Sequence, residues 1–206
     1  IVFAEGGHQT MMKAAVTALQ EGICHPILLG NPDRLNRLAK RLKLDLTGVE
    51  IVDMRADKEQ GRRATYAKHL AEKRARQGVT FEEAYDKMYE RNYFGMSMVE
   101  QGDADAFVTG LYTKYSNTIK VAKEVIGIRK DYNTFATMHI LNTKKGVFYL
   151  ADTLINRHPD QNVLYDVARL AAHTVKFFNN DPVIAMISYS NFGTDEIGSP
   201  VKVHQA

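Results

Sequence analysis

Cysteine occurs once, as Cys24, so an internal disulfide framework is excluded and a reducing compartment, the cytoplasm, is expected. No apolar run approaches the length that crosses a bilayer, and the opening residues lack the pattern of a signal peptide. No G-x-G-x-x-G and no G-x-x-x-x-G-K-[ST] pattern is present, so neither a dinucleotide fingerprint nor a P-loop is readable. None of the seven histidines is paired at i, i+4 with an acidic neighbour inside a helix-like segment, as a helical zinc site requires, so no metal site is expected. Ser190 is preceded by Ser188 rather than glycine, which removes a nucleophile elbow. Neither sign of charge dominates: 27 basic against 24 acidic side chains leave +3, too little for a dedicated nucleic-acid binder and compatible with a small anionic ligand. No initiator methionine precedes Ile1, and the chain is expected to be a piece of a longer protein.

What is present is an ordinary globular composition, 45% apolar and 25% charged over 206 residues, with strand-like and helix-like segments alternating. Ile1–Ala4, Pro26–Leu29, Val49–Val52, Ala104–Val108 and Val183–Ile187 read as strands. Phe135–Leu141 and Val147–Leu150 read as a hairpin turning at Lys144-Lys145-Gly146. Met12, Ala15, Val16 and Leu19 form one helix face, stopped by Gly22. Asn31 before Pro32 reads as an N-cap followed by proline at the first helical position. The stretch 58–101 reads as helical throughout, with Thr80 and Glu83 spaced as a capping box. Ser116 opens a helix closed by Gly127, and Pro159 opens a long one with Val163, Val167, Leu170, Ala171 and Phe178 inward. The pattern predicts an α/β fold whose sheet is mixed and mostly parallel, with a hinge near Arg129–Asn133. The lobes are expected at 1–130 and, incomplete, at 131–206.

In open α/β sheets a ligand sits at the carboxyl ends of the strands. Those ends carry Glu5-Gly6-Gly7, Gly30-Asn31, Thr109-Gly110, Asp152-Thr153 and the Ser188–Thr194 loop. Small hydroxyls, an amide and a glycine bring short donors around a bound group, although ordinary turns favour the same residues. His8 lies near the first strand end; His173 reads as a surface or satisfied residue. Asp103 and Asp105 read as a turn and strand cap. Lys68–Arg76 is locally basic: either a solvated helix face or a site where an arginine forks onto phosphate oxygens.

The stretches IVFAEG, HPILLGNP, RQGVTFEEA, GDADAFVTG, YLADTLIN, AAHTVKFF, PVIAMISYSNFG and VKVHQA, in this order, resemble the phosphate acetyltransferase (phosphotransacetylase) family. The closer likeness is to the phosphotransacetylase-like C-terminal domain of NADP-dependent malic enzymes. The resemblance implies a two-lobed α/β/α sandwich of the phosphotransacetylase, isocitrate dehydrogenase-like fold, with a cleft between lobes and a homodimer or larger assembly. In transferases of the family the cleft binds coenzyme A and acetyl phosphate. The catalytic serine and aspartate belong to a final segment that this sequence does not reach, so the resemblance implies no catalytic residue here. It places the family's first phosphate-binding arginine on Arg74 and its second on Lys120, which as an ammonium cannot make the bidentate contact. The loop with Tyr112 and Lys114 also departs from the transferase version, as does EGGHQT.

The resemblance thus implies acetyl-CoA or CoA held by Arg74, Thr109, Gly110, Tyr112, Lys114, Lys120, Ser188, Ser190 and Asn191. Tyr112 and Tyr115 are candidates for packing on apolar cofactor atoms, with a plain core role for one of them as the alternative. NADP and a divalent metal are implied only for the parent malic-enzyme region. Three functions remain open: an acetyl-CoA-binding regulatory domain without acetyl transfer, an active phosphate acetyltransferase, and an oligomerisation module without a ligand. No nucleic-acid or membrane partner is expected.

Overall fold

The computed structural model describes residues 1–190 and 194–206. It divides into two compact units, Ile1–Gly127 and Ile128–Ala206.

In the first unit, β1 (Val2–Phe3), β2 (Ile27–Leu29), β3 (Glu50–Val52) and β4 (Phe107–Val108) form a parallel sheet in the order β3-β2-β1-β4. Strand side chains alternate between faces, and this alternation builds two cores. Val2, Ile27 and Leu29 enter one cluster; Phe3 and Leu28 enter the other. The Phe3–Leu28 face is covered by α1 (Gln9–Gln20) and α2 (Pro32–Leu42), through Met11, Met12, Ala15, Leu35, Leu38 and Ala39. The opposite face is covered by α3 (Gln60–Arg74), α4 (Phe81–Lys87), α5 (Arg91–Glu100) and α6 (Tyr115–Val125). Parallel crossovers are right-handed. Connections running from β1 to β3 therefore stack on one side, and the return past β1 to β4 stacks on the other. Full burial of a side chain such as Leu28 or Leu35 contributes about 2 kcal/mol.

Local signals set most boundaries here. Asn31 Oδ1 accepts from Arg34 N at 3.1 Å, with Pro32 at the first helical position. Thr80 and Glu83 form the reciprocal capping box. Gly127, at φ 80°, follows α6 in the left-handed region that favours glycine. The expected single helical stretch over 58–101 is corrected. A 3-10 turn (Asp57–Glu59) leads into α3, and a second 3-10 turn (Ala75–Gln77) with Gly78 at φ 78° ends it. Two further helices follow.

The second unit holds β5 (Met138–Thr143) and β6 (Gly146–Ala151), an antiparallel pair with Ile140 opposite Tyr149 and Leu141 opposite Phe148. It also holds α7 (Gln161–Phe177) and α8 (Ser199–Gln205). The expected hairpin exists, but it is a separate two-stranded sheet and not part of the parallel one. The long helix starts two residues after Pro159, because Asp160 accepts from Val163 N at 2.8 Å and acts as its cap. Its buried side chains include Val167, Val175 and Asp166, whereas Phe178 lies exposed at the end. The strand expected at Val183–Ile187 is not found: that segment joins no ladder among the described residues, and Val183 is 98% exposed. An apolar run is as compatible with an unpaired extended segment as with a paired strand. No helix among the described residues is long and apolar enough to cross a membrane.

Candidate functional site

The strand order 3-2-1-4 puts a topological switch point between β1 and β4, where the chain leaves for opposite faces of the sheet. Glu5 leaves the end of β1; Thr109, Gly110 and Leu111 leave the end of β4. The Glu5 side chain is 1% exposed. Its Oε1 accepts from the Thr109 hydroxyl at 3.1 Å and from the backbone N–H groups of Gly110 and Leu111, each at 3.2 Å. Its Oε2 is buried and has no hydrogen-bond partner among the described residues. The Thr109 hydroxyl also lies 3.2 Å from Oδ1 of the buried Asn92. Its one proton therefore faces two acceptors. Gly6 is required by a close approach: a Cβ there would lie 2.9 Å from the Leu29 carbonyl.

Above this floor His8 caps α1, its Nδ1 accepting from Thr10 N at 3.2 Å. The His8 ring meets Tyr112 edge-on, centroids 5.3 Å apart. The Arg91 guanidinium carbon lies 5.7 Å from the same ring. Tyr112 is thus held between the loop after β1 and the start of α5, while 61% exposed. Lys114 is the N-cap residue of α6 but makes no side-chain cap, and Tyr115 is exposed at the first helical position.

A second feature lies along α6. Ser116, Ile119, Lys120, Lys123 and Glu124 share one face by their three- and four-residue spacing, and with Arg74 they line an open depression of about 350 Å³. Arg74 Nε donates to the Glu124 carbonyl at 2.8 Å, and a terminal nitrogen donates to the Lys123 carbonyl. Lys73 donates to the carbonyls of Val125 at 2.6 Å and Ile126 at 2.9 Å, and to Glu100 Oε1 at 2.5 Å. Two consecutive basic residues therefore satisfy the last carbonyls of α6, where positive charge also meets the negative end of the helix dipole. The basic segment is divided accordingly: Lys68 and Arg76 are solvated, whereas Lys73 and Arg74 brace a helix end.

Glu124 anchors the depression. Its Oε2 accepts from Tyr93 OH at 2.6 Å and from Lys87 at 3.1 Å, and Lys120 lies 3.9 Å from Oε1. Burial pushes this carboxyl up, but the Tyr93 hydroxyl and the Lys87 and Lys120 ammoniums outweigh it and hold it below the usual carboxylate value. Burial and the carboxylate together push the Tyr93 phenol well above its ordinary range.

The expected site residues of the first unit therefore fall into two groups. Arg74 and Lys120 share the depression; Thr109, Gly110 and Tyr112 share the switch point; Lys114 stands at the head of α6. The expectation that Thr109 and Gly110 offer donors to a ligand meets a resident acceptor, since Glu5 already takes both. In the second unit the Ser188 hydroxyl accepts from Ser190 N at 3.4 Å, and the Ser190 hydroxyl accepts from Asp195 N at 3.1 Å. Both serines thus brace their own loop; Asn191 lies outside the described residues. Asp152, at the end of β6, accepts from Thr137 and Asn156 through both carboxylate oxygens. A hollow of about 720 Å³ in this unit is mostly apolar, walled by residues of β6, α7 and 180–187 and by Val203 of α8. Asp103 accepts from Tyr66 OH, and His173 is exposed.

Glu5, Arg91, Asn92 and Glu124 were not among the expected ligand residues. Glu5 carries a signal, its place at a strand end. Asn92 and Arg91 carry none, because the packing of α5 decides where they point. Among the described residues no cluster of histidine, cysteine and carboxylates fits a metal ion.

The family described as phosphate acetyl/butaryl transferase matches residues 1–206. An NADP-dependent malic enzyme of Escherichia coli is 32% identical over 210 residues, covering 100% of this chain and 27% of that protein. A phosphate acetyltransferase of Nitratidesulfovibrio vulgaris is 30% identical over 206 residues, covering 100% of this chain and 29% of that protein. The chain thus spans well under a third of either relative. Among solved structures, the EutD phosphotransacetylase from Staphylococcus aureus superposes with a TM-score of 0.86 at 25% identity, over 99% of this chain and 61% of that one. The chain belongs to the phosphate acetyl/butaryl transferase family.

Proposed function

We propose that this phosphotransacetylase-like domain belongs to a malic enzyme and binds acetyl-CoA as an allosteric regulator, without transferring the acetyl group. The parent enzyme then carries the oxidative decarboxylation of malate to pyruvate, with NADP and a divalent metal outside this domain. The observation that carries the reading is the state of Arg74. The guanidinium that a phosphate-transferring site needs for the reacting group is bonded to the carbonyls of Lys123 and Glu124. Its companion is Lys120, an ammonium already near Glu124. A depression with three cations and one carboxylate suits the phosphates of a carrier at rest better than a reacting acyl phosphate. Regulation follows if the ligand prefers one of two global arrangements of a homodimer or larger homo-oligomer. The cytoplasm is the expected compartment, where the carrier is found.

An active phosphate acetyltransferase is the second reading. The observation in its favour is the near-equal identity to a transferase and a malic enzyme, 30% against 32%. The experiment is thiol consumption by the complete protein given acetyl phosphate and CoA, beside calorimetry with acetyl-CoA. Binding without turnover supports the regulatory reading. Robust turnover at nanomolar protein overturns it, and silence in both assays leaves a ligand-free assembly module.

A further inference from the structure

The Gly110 and Leu111 N–H groups converge on one oxygen, with the Thr109 hydroxyl beside them. Successive amides arranged this way form a seat for an anion. The seat lies at the switch point, where ligands of such sheets are bound. Its occupant is Glu5, nine-tenths buried and more.

We propose that Glu5 is a specificity-determining residue: its carboxylate fills the anion seat of the 109–111 loop and so denies that seat to ligand phosphate. Phosphate is left with the Arg74, Lys120 and Lys123 depression. The proposal rests on the acyl-CoA reading only in naming whose phosphate is excluded.

Two features support it. The first is the bare Oε2, a buried acceptor that no described group satisfies. A glutamine would accept from the same three donors at less cost, since a buried charge lacking partners is expensive. The fold alone therefore does not call for the charge. The second is the surplus of acceptors. Asn92 Oδ1 and Glu5 Oε1 both face the single Thr109 proton, and Oε2 stands apart from any donor. A second anion at this floor would meet oxygens of its own sign, with the Gly110 and Leu111 N–H groups already engaged.

The test uses the full chain labelled with ¹⁵N-glycine and titrated with inorganic phosphate. The Gly110 amide resonance should stay still in the wild type and shift progressively in Glu5→Ala, which removes the carboxylate and empties the seat. A shift of Gly110 in the wild type overturns the proposal without reference to any variant. A folded Glu5→Ala protein whose Gly110 resonance ignores phosphate also overturns it. Unfolding of Glu5→Gln, which keeps an acceptor for every donor, would assign the charge to the fold and overturn it too. Acetyl-CoA calorimetry on the wild type and Glu5→Ala is read separately. Its failure would sink the acyl-CoA reading and leave the Gly110 response to judge Glu5.

Discussion

The Nε of Arg74 donates to the backbone carbonyl of Glu124 at 2.8 Å, so a side chain on α3 completes the final turn of α6. Loss of this bond strands the carbonyls of residues 123 and 124. Arg74→Ala should cost about 1–2 kcal/mol in urea unfolding, the range for charge-assisted bonds at a partly exposed site. Arg74→Lys should recover only part, because an ammonium lacks the planar fork. Full stability in Arg74→Ala would show that the carbonyls find water instead, freeing the guanidinium for a ligand role.

Glu124 sets a pH dependence. Its carboxyl is held below its ordinary value of 4.5, despite burial, by Tyr93, Lys87 and Lys120. A depressed folded-state value stabilises the protein fully above the unfolded value. That contribution is lost as pH falls from about 4.5 through the folded value. Glu124→Gln should therefore destabilise the protein at pH 7, by about 1–2 kcal/mol for the lost charged hydrogen bonds. The gap to wild type should narrow below pH 4.5. Urea midpoints of both proteins between pH 7 and pH 3 check this, and a gap constant with pH would refute it.

The fold was legible where signals are local. Asn31-Pro32 and Thr80-x-x-Glu83 specify helix starts through bonds spanning three residues, so sequence spacing contains them entirely. The apolar alternation Ile27-Leu28-Leu29 feeds two cores and marks a strand buried on both faces. Position was not legible where distant contacts decide. Arg74 reads as a phosphate ligand until α6, some 50 residues later, offers its carbonyls. The break between α4 and α5 depends on tertiary packing, since 58–101 has no proline to announce it. Val183–Ile187 has the composition of a strand, but composition does not supply the neighbour that would pair with it. Of the candidate site, the strand ends were readable from pattern, and the occupation of the 109–111 seat by Glu5 was not.

Gly95 predicts a packing limit. An added Cβ would lie 2.3 Å from Phe107 Cε2 and 2.7 Å from its Cδ2. The ring belongs to β4, next to the switch point, and must be displaced. Gly95→Ala should cost about 1–3 kcal/mol despite its better helix propensity, as overpacking of a close-packed core does. Thermal unfolding measures it. Gly102→Ala meets nothing within 4 Å but sits at φ 82°, so it separates backbone strain from steric crowding.

The β5–β6 ribbon leads to the last prediction. Leu141 and Phe148 face each other across the ladder, and the next pair, Ile140 and Tyr149, points to the other side. Ile140, Leu141, Val147, Phe148 and Leu150 are each 44–49% exposed, so both faces of the ribbon present apolar surface to solvent. Such a two-stranded sheet is marginal on its own and gains by burying those faces. The 206-residue chain should therefore self-associate with rising concentration, as measured by light scattering after size exclusion. Phe148→Glu should shift the equilibrium towards monomer, because a carboxylate in the new contact would be desolvated without a partner. The matching change Lys144→Glu, in the turn between the strands, places the same charge where solvent keeps it and should leave association unchanged. A monomer at all concentrations, or equal association of both variants, would show that this ribbon is not the surface that drives it.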